Sequence, residues 1–238
     1  MTVDGWTSAV RHQLSLGRLL PLGGPRDGAW ITEAAAEAVL RRAVRGVEGV
    51  RMGALRIAVA DPAGGYEPAV PPPPSGLPPG PLRVTADIAA SSSGPLPTTA
   101  ARLRTALAAA ATDRLGLVVS EVDLRVTALL DEDPEPEPEV RPGPEPRHVA
   151  AAQHGDEARA TVAALSVPGV TRLTDVVGRA MRIEEREHAT ALPHRHARVE
   201  IAVSARHRAL EVARGVRAAV SEALRDHPTV AVLVTAVE

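Results

Sequence analysis

Two stretches of the chain place an aliphatic side chain at every second position and close on the same three residues. Glu121–Ala128 carries Val122, Leu124 and Val126; Thr229–Ala236 carries Val230, Val232 and Val234; both end in Val-Thr-Ala. Alternation with a period of two sends such a set to one face of a β-strand. Each stretch follows apolar residues at spacings of four: Leu103, Leu107, Ala111 in a helix capped by Thr98 or Thr99 in one case, and Val212, Val216, Val220, Leu224 in the other. That spacing lines one face of a helix.

The correspondence extends upstream. Thr32 is a good helix N-cap, with Glu33 in the first turn. The helix it opens, to about Arg45, turns Val39, Leu40, Ala43, Val44 and then Val47 inward, and Gly46 and Gly49 end it. Leu55, Ile57, Val59 and then Leu82, Val84, Ala86, Ile88 alternate as a hairpin of strands. In the second half a helix near Asp156–Leu165 precedes Val167-Pro168-Gly169-Val170, in the place of Val47-Glu48-Gly49-Val50. Met181-Arg182-Ile183 answers Leu55-Arg56-Ile57, and Ala197–Ile201 answers Leu82–Ala86. The order is kept and the spacing changes only between elements, which predicts two diverged copies of one unit. The expected fold is α+β: two similar small domains, each a three- to four-stranded sheet with two helices on one face.

Three further segments punctuate the chain. Thr7–Leu20 reads as an amphipathic helix, with Val3, Trp6, Val10 and Leu14 on one side, stopped by Pro21 and Gly23-Gly24. It is expected to pack on the first domain, with membrane-surface binding as the alternative. Residues 61–81 are proline-rich, and proline removes the amide a sheet ladder needs, so they read as a looping, mobile spacer. Residues 131–147 alternate acid with proline and read as a stiff acidic linker. The expected division is therefore 1–27, an N-terminal helical segment; 28–130, a first repeat carrying the insertion 61–81; 131–147, the linker; and 148–238, a second repeat.

Composition narrows the chemistry. The chain of 238 residues has no Cys and no Phe, and its aromatics are Trp6, Trp30 and Tyr66. Disulfides, thiolate metal sites and cysteine nucleophiles are excluded, and the cores must be aliphatic. Every basic residue is Arg, and the net charge is -2. No apolar run approaches the ~20 residues of a membrane span, and a cytoplasmic location is expected.

Candidate reactive groups are sparse. His188, His194 and His196 lie near Glu184, Glu185 and Glu187, but Pro193 interrupts the run and no spacing fixes a third ligand, so solvated histidines are expected. Gly46-Val47-Glu48-Gly49 has the spacing of an RNA-clamping loop, yet Glu48 faces phosphates with the wrong sign. Ser91-Ser92-Ser93-Gly94 lacks a nucleophile elbow. Arg206, Arg208, Arg214 and Arg217, with His207 among them, form the candidate partner surface, suited to an anionic partner. No catalytic residue, cofactor or metal is expected, and without aromatic platforms nucleic acid is an unlikely partner.

The pattern resembles the alkaline-shock-protein family of Gram-positive bacteria, also called the envelope stress response family. The residues that carry the resemblance are Ile31-Thr32-Glu33, Val47-Glu48-Gly49-Val50 and Val122-x-Leu124-x-Val126-Thr127. In the second half they are Val167-Pro168-Gly169-Val170 and Val230-x-Val232-x-Val234-Thr235. The resemblance implies a non-enzymatic scaffold or adaptor that supports the envelope, assembles by self-association or on a membrane-anchored protein, and is peripheral at the membrane. The alternative from another class is an anion- or nucleic-acid-binding module using the arginines of the second half.

Overall fold

The computed structural model describes residues 18–131, 155–186 and 194–238. The acidic linker beyond residue 131, and the part of the N-terminal helix before residue 18, lie outside the described residues. Within them the fold is α+β. The strands are β1 (Leu19–Pro21), β2 (Ala29–Thr32), β3 (Val50–Val59), β4 (Leu82–Ser91), β5 (Val119–Leu130), β6 (Val170–Leu173), β7 (Met181–Arg186), β8 (His194–Val203) and β9 (Thr229–Val237). The helices are α1 (Glu33–Val44), α2 (Leu96–Ala109), α3 (Asp156–Leu165) and α4 (Ala209–Ala223).

Local chemistry sets the element ends. Thr32 caps α1 as its spacing predicts, its hydroxyl accepting from the Ala35 amide at 3.3 Å. α2 starts earlier than Thr98 or Thr99: Pro95 takes the cap position and Pro97 falls in the first turn, where a missing amide costs nothing. Its last turn widens into a π-helical segment, Ala110–Leu115, which Gly116 ends at φ 90°. A Cβ there would lie 2.5 Å from that of Leu210, so both conformation and space demand glycine.

Hairpin, helix and parallel return strand occur in both halves. β3 runs antiparallel to β4, and β5 returns parallel beside β4 after α2. β7 runs antiparallel to β8, and β9 returns parallel beside β8 after α4. Paired details recur at matched positions. The Glu33 carboxylate accepts from the Ile57 amide, and that of Glu157 from Ile183. The Gly49 carbonyl accepts from Ser91 N–H, and that of Gly169 from Ser204 N–H, both at 2.8 Å.

The expected pair of self-contained sheets is not what the chain builds. One sheet has three strands, in the order β3-β4-β5; the other has six. The larger draws β1 and β2 from the N-terminal half: β2 pairs parallel with β9, β1 antiparallel with β2, and β6 and β7 share the far edge of β8. One continuous apolar cluster joins Ile57 and Val84 of the smaller sheet, Leu40 and Leu107 of the helices, and Val199 and Val232 of the larger sheet. Helix α1 packs against β3 and β9 and so touches both sheets. Leu19 and Leu20, the end of the helix expected over Thr7–Leu20, are buried strand residues.

The proline-rich insertion is packed rather than free. It crosses from the β3–β4 hairpin to the second face of the larger sheet. There Val70 joins Leu19, Trp30, Ala231 and Leu233 in a separate apolar cluster. The Leu77 amide donates to Leu19 O at 2.9 Å, and the Trp30 indole donates to Leu77 O at 3.1 Å. Proline cannot extend the ladder, but it can lie across a sheet face without leaving buried amides unpaired.

Candidate interaction surface

The edges of the two sheets are treated differently. The outer edge of β3 is occupied by side chains: Arg18 donates to Ile57 O at 2.6 Å, Glu33 accepts from Ile57 N–H at 3.3 Å, and Arg41 donates to Gly53 O at 2.7 Å. The insertion lies along β1. The outer edge of β9 is covered by β2. β5 corresponds to β9 in the chain, yet among the described residues it pairs with β4 alone. The one side chain bonded to its backbone from a helix is Arg104, whose Nε donates to Val122 O at 3.2 Å.

β5 is also apolar where it is open. Val119, Val122, Leu124, Val126 and Leu129 stand opposite the buried Leu82, Val84, Ala86, Ile88 and Ala90 of β4, so all five belong to the helix-covered face. The helices cover only its first part: Val126 is 43% and Leu129 61% exposed. On the other face Arg125 makes a two-point bond to Asp87 (2.8 and 2.9 Å), and Arg83 pairs with Glu121 at 2.6 Å. A long strand edge with unpaired backbone groups and exposed aliphatics is a template for adding another strand.

The second face of the larger sheet holds a polar row that the spacing of the strand did not single out. His196, Arg198 and Glu200 alternate along β8, and Pro72–Pro74 lie over His196 and Arg198 with Arg182 and Glu184 alongside, enclosing about 20 Å³. That is room for about one water. Glu200 is fully buried; its Oε2 accepts from the Val177 amide at 2.9 Å, and its Oε1 has no partner. Burial pushes its carboxyl up to about 7, against the pull of the Val177 amide and the Arg198 charge. Thr174 and Thr235 close the row with a hydroxyl–hydroxyl bond of 2.7 Å.

The arginines expected to form a partner surface are largely committed within the chain. Arg214 grips Asp27 (2.8 and 3.3 Å) and Glu211; Arg208 donates to Thr112 O at 3.0 Å; Arg217 donates to Arg26 O. They tie α4 to the β1–β2 turn and to the end of α2. Arg206 is exposed. Burial pushes the Asp27 carboxyl up, but the bond from Arg214 and the Gly24 amide outweigh it and hold it below the usual range. Spacing showed which arginines share a helix face, but not that a turn about 190 residues away supplies their acceptors.

The remaining sequence candidates are placed as follows. His196 Nδ1 lies 2.9 Å from the Thr229 hydroxyl, and His194 heads the same strand; His188 and Glu187 lie outside the described residues. Among the described residues no three metal-ligating side chains gather. Glu184 and Glu185 line an open groove of about 400 Å³ with Asp156, Glu157, Ile183 and Arg195. The Gly46–Gly49 segment is a helix end and turn, with Gly49 at φ 73°. Ser91 and Ser93 bond each other at 2.8 Å. No helix among the described residues is long and apolar enough to cross a membrane.

No family model, curated protein or solved structure matches the chain.

Proposed function

We propose that the protein is a non-enzymatic scaffold or adaptor of the envelope-stress type, built from two diverged copies of one unit and acting through protein–protein contacts near the membrane. The observation that carries this reading is the edge of β5, twelve residues long, open among the described residues and with Val126 and Leu129 exposed, where the corresponding edge of β9 is covered by β2. The matched Glu33 and Glu157 contacts support the duplication. The anion-binding alternative ranks lower, because Arg208, Arg214 and Arg217 already serve acceptors within the chain.

Affinity capture from membrane and soluble fractions tests the proposal with three proteins: the full chain, the chain without residues 1–17, and Leu129→Glu. Truncation at residue 27 is unsuitable, since β1 and Asp27 belong to the folded part. The expected result is a membrane-anchored protein that rebinds in purified form and is lost with Leu129→Glu. Capture indifferent to the edge variant, or salt-sensitive retention on an RNA column instead, would overturn the reading.

A further inference from the structure

Resting on that scaffold reading, we infer that the open edge of β5 is filled by β5 of a second copy of this chain, antiparallel and centred on Leu124. The inference comes from the spacing of the strand. Its five apolar positions on the helix-covered face are palindromic: Val119 and Val122 lie five and two residues before Leu124, and Val126 and Leu129 two and five after it. The irregular steps arise because the β4–β5 register shifts twice, between Leu82 and Arg83 and between Ile88 and Ala89.

An antiparallel pair centred on Leu124 sets Val122 against Val126 of the second copy, Val119 against Leu129, and Leu124 against itself. Every exposed aliphatic of one edge thereby meets an aliphatic of the other on one face. The opposite face is matched in charge. Asp123 meets Arg125 of the second copy, extending the Asp87–Arg125 pair into a row of alternating sign across both chains. Shifting the centre by one residue, to Asp123, is a two-residue slip of the strands. It opposes two aspartates and keeps Val122 against Leu124, but sets Val126 against Ser120 and Val119 against Thr127, so the palindrome selects the register centred on Leu124. Arg104 must release Val122 O for the ladder to close. The outcome is a six-stranded sheet whose helices lie on one side. An interface confined to one strand edge is small, so association is expected on the order of 10–100 μM.

The absence of Cys makes the register directly readable. Single-cysteine full-length chains are oxidised at about 100 μM and their molecular mass is followed by sedimentation. Leu124→Cys is expected to give covalent dimers. A mixture of Asp123→Cys and Arg125→Cys is expected to cross-link at least tenfold more than either alone, because only that combination lies directly opposite. Val126→Glu, at an exposed position, is expected to raise the dimer Kd at least tenfold without changing the circular dichroism. A wild-type chain that stays monomeric to 200 μM would overturn the inference, as would preferential self-linking of Asp123→Cys or an edge occupied by another segment of the same chain. Should capture of a membrane-anchored protein through Leu129 survive while the chain stays monomeric, the scaffold reading stands and the dimer falls.

Discussion

Replacing Glu200 by Gln should stabilise the protein in alkaline solution and flatten its pH profile between about pH 4.5 and pH 7. The carboxyl is buried with Oε1 unpartnered, and its pKa rises from 4.5 to about 7. Below about pH 4.5 the group is protonated in folded and unfolded chains alike, and costs nothing electrostatically. As pH rises through the window the unfolded chain releases a proton that the folded chain keeps, so stability falls; above pH 7 the loss is complete. A shift of this size corresponds to about 3 kcal/mol. Glutamine mimics the protonated acid and still offers an oxygen to the Val177 amide. Urea unfolding of the wild type and Glu200→Gln, followed by circular dichroism and Trp fluorescence at fixed ionic strength, gives the difference directly. Half-buried carboxylates held low by arginine partners, such as Asp87 and Asp156, titrate with the opposite sign, but cancel between the two proteins. The expected difference is near zero at pH 4.5 and approaches about 3 kcal/mol at pH 8.5, less any cost of placing an amide NH2 beside Arg198. Parallel profiles would refute the reasoning, for they would mean that the carboxylate finds solvent or a counter-ion in the folded protein.

Two further changes probe the contacts that hold the halves together. Val70→Ala, which empties a fully buried position under the insertion, should cost about 2 kcal/mol and red-shift the emission of the buried Trp30; an unchanged melting temperature would mean that the insertion does not seal this face. Arg214→Ala should cost no more than about 1 kcal/mol, since the pair with Asp27 is half open to solvent, and the cost should shrink in high salt. Because Asp27 titrates below the ordinary range, its contribution is present above the pKa of the unfolded carboxyl and is lost as pH falls through the folded one. A penalty independent of salt would indicate lost packing of the arginine stem.

The alternating and four-spaced patterns located most elements, because burial on one face leaves a period in the sequence. Leu103 and Leu107, Val212 and Val216, and the alternation of β4 are buried as those periods predict, whereas β9 is buried on both faces, with Val70 of the insertion packed against Ala231 and Leu233 on the second. Partnership across the chain leaves no period. Ala29–Thr32 is too short to announce which sheet it joins, and nothing in Val232-Leu233-Val234 names Ala29-Trp30-Ile31 as its neighbours. The insertion was misread because proline content reports the lack of a ladder, not the lack of a surface to lie on. Glu200 was passed over for a related reason: in an alternating strand a charged residue between Val199 and Ile201 reads as solvent-facing, whereas the segment between β6 and β7, with Val177, lies against it and it is buried. The open edge of β5 could be anticipated only as a class of surface. Its palindromic spacing became meaningful once the two register shifts were known.

The parallel pairing of β2 with β9 bears on how the molecule is made. The Thr32 hydroxyl donates to the carbonyl of Thr235, 203 positions further along the chain. A ribosome therefore delivers Leu19–Thr32 long before the strand beside which it must settle. Until then Leu20, Trp30 and Ile31 lack the cover that the completed sheet gives them. Such distant closure predicts slow, late completion of the larger sheet, and makes the last strand the step on which assembly of the whole molecule turns.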